Sequence, residues 1–156
     1  MNSEIKTKGT VERIIQYLDG RVETSIIENT VLLTGQMALA ASLAGQYGDY
    51  YNFYIARMVF GNGGTSGGVP LFVSTNQNSL FSNPPLGSKG VVAVIDPNVQ
   101  NQVVFTSILG YGDCVGTINE MALQMNSDDL YSMTTFPDLN KSQNMQITWN
   151  WTVSFI

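Results

Sequence analysis

Residues 145–156 read MQITWNWTVSFI. Met145, Ile147, Trp149, Trp151, Val153 and Phe155 are apolar, while Gln146, Thr148, Asn150, Thr152 and Ser154 are polar. A period of two over that length is a half-buried β-strand. At about 3.3 Å per residue it runs close to 40 Å, roughly twice the usual strand, and it carries both tryptophans of the chain on its buried side. The reading locks this stretch into a sheet and points towards life in an assembly.

Other strands line up behind this one. Val11 to Leu18 and Arg21 to Ile27 are β-rich runs separated by Asp19-Gly20, a dipeptide suited to the φ > 0 positions of a hairpin. Phe53 to Phe60 is apolar on both sides except for Arg57, as an inner strand would be. Val69 to Ser74 is a brief extended run, followed by the turn residues Asn83-Pro84-Pro85. Val91 to Ile95 and Gln102 to Leu109 form a second hairpin around Asp96-Pro97-Asn98. Thr117 to Met125, Leu130 to Phe136 and the terminal run are expected to complete a three-stranded meander. One helix interrupts them, Thr34 to Gln46, with Thr34 as N-cap, Gly45 at the left-handed C′ position, and Met37, Ala40, Ala41 and Ala44 as its packing face. About eight or nine strands, one short helix and no βαβ alternation predict a mainly β protein, an antiparallel, jelly-roll-like β-sandwich. Residues 1–8 are expected as a flexible N-terminal arm and 9–156 as a single domain.

Composition narrows the function. The chain has 156 residues, 44% apolar, with only 12% charged, about half the average for soluble domains. Its surface is therefore rich in Asn, Gln, Ser, Thr and Gly, which suits a protein whose surface mostly meets other protein. There is no histidine and one cysteine, Cys114, so no intrachain disulfide, no Cys-based zinc site and no histidine base for a cysteine nucleophile is expected. We expect no enzyme, no catalytic residue, no metal and no cofactor. The net charge is −5, and Lys6, Lys8, Arg13, Arg21, Arg57, Lys89 and Lys141 are scattered, which argues against nucleic acid as a partner. No apolar run approaches the roughly 20 residues that span a bilayer, and MNSEIKTKGT lacks the apolar core of a secretory signal. Neither a membrane partner nor export is expected.

Several motifs invite chemistry. Gly61 to Gly68, GNGGTSGG, resembles a phosphate cradle, yet it lacks the GK[ST] ending and no helix follows. It reads as a mobile connection or an interface loop through Gly63, Gly64 and Thr65. Asp128 and Asp129, or Asp113 with Glu120, would be candidate carboxylate pairs, but Asn126-Ser127-Asp128-Asp129 reads as a hairpin turn. Arg57 on an inner strand needs a partner. A structural ion pair with Glu120 is one reading, and two solvated strand ends is the other. Tyr47, Tyr50, Tyr51 and Tyr54 form an aromatic cluster, suited to a subunit contact or to a sugar platform. Asn140-Lys141-Ser142 and Asn150-Trp151-Thr152 match glycosylation sequons and carry little weight without a signal.

The ending INEMALQMNSDDLYSMTTFPDLNKSQNMQITWNWTVSFI resembles the closing strands of tailed-bacteriophage virion proteins. The matching positions are Glu120, Met121, Ala122, Leu130, Tyr131, Thr135, Phe136, Lys141, Trp149 and Trp151. The segments ENTVLLTGQMALAASLAG and RMVFGNGGTSGG are similar to the opening of the same loose group. The resemblance spans about Gly9 onward and carries no catalytic motif. It implies a virion structural protein assembled in the host cytoplasm: a capsid decoration or cement protein, acting as a homo-oligomer, with a trimer as the first candidate, against the major capsid protein. A neck, baseplate or tail-fibre attachment protein is the alternative, and a carbohydrate-binding module is the reading from another class.

Overall fold

In the computed structural model, which describes residues 6–45 and 53–156, the terminal run is strand β12, Met145–Phe155. Its side chains alternate between core and surface as the sequence dictates: Met145, Ile147, Trp149, Trp151 and Val153 are buried, and the residues between them are partly exposed. Trp149 lies against Phe60 and Phe136 of the opposite sheet, with ring centroids 5.5 Å and 5.8 Å away. Both indole N–H groups are buried without a hydrogen-bond partner, which costs about 1–3 kcal/mol each. Burying some 200 Å² of each indole contributes about 5 kcal/mol, so packing wins.

Chain order is β1 (Thr7–Tyr17), β2 (Val22–Glu28), β3 (Thr30–Val31), α1 (Leu33–Leu43), β4 (Ile55–Gly61), β5 (Thr65–Ser66), β6 (Val69–Pro70), β7 (Gly87–Gly90), β8 (Val92–Val94), β9 (Gln102–Leu109), β10 (Gly116–Met125), β11 (Leu130–Lys141) and β12. They form two five-stranded antiparallel sheets. The first has the order β2-β1-β12-β9-β8 and the second β3-β11-β10-β4-β7, with β5-β6 as a separate ribbon. The fold is a mainly β sandwich with a single described helix. Both expected hairpins form, β1-β2 with Gly20 at φ 91 and β8-β9.

The three-stranded meander does not form. β10 and β11 pair in the second sheet, whereas β12 crosses to the first and inserts between β1 and β9. Strand texture explains the split. In β10, Ile118 to Leu123 are all buried, because the second sheet is covered on both faces. Its inner side meets the tryptophan core. Its outer side, through Val59, Ala122 and Met133, packs against Leu32, Val73 and Leu80. The segment 71–86 thus lies over that sheet, pinned by the hydrogen bond from Thr135 Oγ1 to the Leu71 carbonyl (2.7 Å). A cleanly alternating strand such as β12 fits only a sheet with one wet face.

Two local expectations are corrected. Residues 6–8, read as part of a flexible arm, already belong to the sheet: Lys6 and Ile156 exchange backbone hydrogen bonds (2.7 and 2.8 Å), and Thr7 and Lys8 pair with Phe155 and Ser154. Residues 1–5 lie outside the described residues. The helix begins at Leu33 with Leu32 as N-cap and no capping side chain. Thr34 instead donates its hydroxyl to the Leu130 carbonyl. Gly45 does take the left-handed position, at φ 63. The buried helix residues are Gly35 and Ala38, while Met37, Ala40 and Ala44 are exposed. A Cβ at Gly35 would overlap the Tyr131 carbonyl, so the closest backbone approach, rather than the broadest apolar stripe, sets the helix rotation.

Trp149→Ala should lower stability by about 3–5 kcal/mol through the cavity it leaves, and Thr152→Ala, on the same strand but facing outward, by less than about 0.5 kcal/mol. Guanidinium unfolding of the two variants measures the contrast.

Candidate interaction surface

Glu120 and Arg57 are not brought together. In the antiparallel pairing of β10 with β4, Arg57 stands opposite Gln124 and Glu120 opposite Gly61. Arg57 contacts Gln124 Oε1 and Asp128 Oδ1, both at 3.2 Å. Asp128 sits at φ 74 in the hairpin turn read from Asn126 to Asp129, and it is too exposed for this pair to matter much to stability. Glu120 is fully buried. Its carboxylate accepts the backbone N–H groups of Gly63 (3.1 Å), Phe81 (2.7 Å) and Ser82 (2.8 Å), and the Ser82 hydroxyl.

Of the glycine-rich stretch, Gly63 alone donates to the Glu120 side chain, and the other donors, Phe81 and Ser82, come from outside it. Backbone amides directed at a carboxylate stabilise it as they would a phosphate. Beside it, Asn119 accepts from the Gly64 N–H (2.7 Å) and donates to the Asn62 carbonyl and to Asp138. Thr65 Oγ1 donates to Asp138 at 2.7 Å. These bonds hold Asp138 below the ordinary carboxylate range, the Asn119 bond first and the Thr65 bond second. Gly67 and Gly68, at φ 57 and 79, close the β5-β6 ribbon with a two-residue turn. Gly63, Gly64 and Thr65 are thus parts of an anchored corner rather than a mobile connection.

Tyr47, Tyr50 and Tyr51 lie outside the described residues, and Tyr54 is exposed. The inward-facing guanidinium belongs to Arg13, which sits over the Phe136 ring at 5.5 Å. Burial lowers its pKa, opposed by the charge of Glu23. Its position was readable, because Val11, Arg13 and Ile15 share one parity of β1. Lys141, also buried, donates to the carbonyls of Gly110 (2.7 Å) and Tyr111 (3.2 Å). Burial, with the neighbouring Asp113 charge, pushes the Cys114 thiol up, so it rests protonated. Among the described residues, no three His, Cys, Asp or Glu side chains are placed to hold a metal ion.

What remains open is the outer face of the first sheet. The second sheet has segment 71–86 across its outer side, and nothing among the described residues covers the first. Down its centre β12 presents Gln146, Thr148, Asn150, Thr152 and Ser154. On one flank stand Ile14, Val22 and Ile26, and on the other Val92, Val94, Val104 and Ile108. Ile26 and Val92 are about two-thirds exposed, at 65% and 66%. A hydrogen-bonded row crosses three strands: Thr106 donates to Asn150 Oδ1 (2.8 Å), and Asn150 donates to Glu12 Oε1 (3.0 Å). The charges on this face, Lys8, Glu12 and Glu28, all lie on the β1 and β2 side. A broad surface with pre-satisfied polar groups and exposed β-branched residues is suited to docking protein, not to chemistry.

Thr65→Ala should raise the titration midpoint of Asp138, and Asn119→Ala should raise it further, as followed by carboxyl NMR. Because the folded-state value is depressed, the stability tied to Asp138 is complete above the unfolded-chain value and is lost as pH falls through the folded-state value. Compared with protein-family models, with curated proteins and with solved structures, the chain matches none.

Proposed function

We propose that this chain is a structural protein of a tailed-phage particle, bound to the head as a decoration or cement protein against the major capsid protein. The observation that carries the reading is the asymmetry of the sandwich. One sheet is sheathed by the chain's own residues 71–86, while the other keeps a five-stranded face of Thr, Asn, Gln, Ile and Val open to a partner. The resemblance of residues 118–156 to closing strands of virion proteins points the same way. The work of such a protein is burial of a large complementary area, with no reacting group. A neck, baseplate or fibre position would set the same module against a different neighbour.

Gold-labelled antibody on particles from the culture that expresses the chain should decorate the head shell. Label at the neck or tail would move the protein to that position, and no label on any particle would overturn the reading. A chain with only 12% charged residues also has little charge attraction to lose to screening. Washing particles in about 1 M salt, where the Debye length is near 3 Å, should leave the protein bound.

A further inference from the structure

We infer that the open face of the first sheet pairs with the same face of a second copy, across a two-fold axis that runs along β12. This rests on reading the chain as an assembly protein and names the surface by which it assembles with itself.

The apolar residues of the face, though not its charges, lie on both sides of its central strand. Polar β12 is flanked on either side by an apolar ridge, Ile14, Val22 and Ile26 on one and Val92, Val94 and Ile108 on the other. An isologous contact needs such self-complementarity, since every residue must find its partner on the same surface. Register makes the match specific. Ile26 pairs with Glu12 and Glu12 with Asn150, while Val92 pairs with Thr106 and Thr106 with Asn150. Ile26 and Val92 therefore stand level with each other, two strands to either side of Asn150. Ile14 and Ile108 stand level in the same way, both opposite Thr148. Rotation about β12 carries the β1-β2 flank of one copy over the β8-β9 flank of the other, so Ile26 meets Val92 and Ile14 meets Ile108, twice each. Glu12, already bonded to Asn150, then faces the Thr106 level of its partner, and Lys8 and Glu28 lie towards the perimeter.

The area is adequate. Strands of 11, 11, 8, 7 and 3 residues, at about 3.3 Å per residue and about 4.8 Å spacing, give roughly 630 Å² per copy, at the low end of the roughly 600–1,000 Å² per partner of standard stable interfaces. Two sheets stacked face to face about 10 Å apart are also an ordinary packing.

Sedimentation equilibrium of the full chain at concentrations up to about 100 µM, where even a weak contact is populated, should show a species of twice the 17.0 kDa chain mass. Ile26→Lys and Val92→Glu, both at exposed positions, should each weaken it by about 100-fold or more with an unchanged monomer circular dichroism spectrum. The double variant should restore the dimer, since each new charge lies opposite its counterpart across the axis. A wild-type chain that stays monomeric, or a dimer indifferent to both single changes, would overturn the inference. Single variants that dissociate without rescue in the double would overturn the axis. A monomeric chain found on particles would end this pairing and leave the virion reading intact; a dimer by this face with no particle label would do the reverse.

Discussion

The first sheet is held together by the backbone pairing of β1 with β12. All 11 residues of β1 are in register with β12, from Thr7 opposite Phe155 to Tyr17 opposite Met145. On its other edge β12 pairs with β9 from Gln102 to Leu109. Without β12 the sheet would fall into two hairpins, β2-β1 and β9-β8, and isolated hairpins are marginal in water. The same strand delivers Trp149 and Trp151 to the core between the sheets, so its hydrogen bonds and its buried side chains act on the same outcome. Everything placed on the open face inherits its spacing from this central strand.

Two stretches of irregular backbone are organised by the buried side chains of Glu120 and Lys141. Glu120 collects the N–H groups of Gly63, Phe81 and Ser82, and Lys141 collects the carbonyls of Gly110 and Tyr111. A carboxylate can accept several donors at once and an ammonium can donate several times, so one side chain fixes a stretch of irregular backbone that would otherwise bury unpaired groups. The glycines beside Glu120 are required by proximity: a Cβ at Gly61 or Gly64 would run into the Glu120 side chain.

The strands were legible because period-two alternation and the Asp19-Gly20 turn are local signals. Which sheet each strand joins was less so, since alternation says only that one face is wet. The contrast between continuous burial in β10 and strict alternation in β12 carried that information and was readable in hindsight of the topology. On the helix, Met37 and the alanines form the larger apolar stripe, but Gly35 permits the closer contact and sets the rotation. Arg57 is the cation within an apolar run, yet the parity of Val11 and Ile15 on β1 is what turns Arg13 inward. The partnership of Glu120 with a glycine loop joined residues far apart in sequence, and no local pattern announces that. The open face could not be seen at all, because it depends on residues 71–86 covering the other sheet instead.

The pairing of β1 with β12 also governs the order of events in folding. Residues 18–144 separate the two strands, and closing a loop of that length costs about 4 kcal/mol of chain entropy before any contact repays it. A topology that joins distant strands folds slowly. As the chain is synthesised, β1 acquires β2 at once and then waits, with one edge unpaired, until β12 has been made. During that interval the nascent sheet exposes both the edge and the core side of Val11 and Ile15, which is the condition under which strands pair with the wrong neighbour. Arg13, set between those two residues on the same side, places a charge in the middle of the exposed strip and makes it a poor template for another chain.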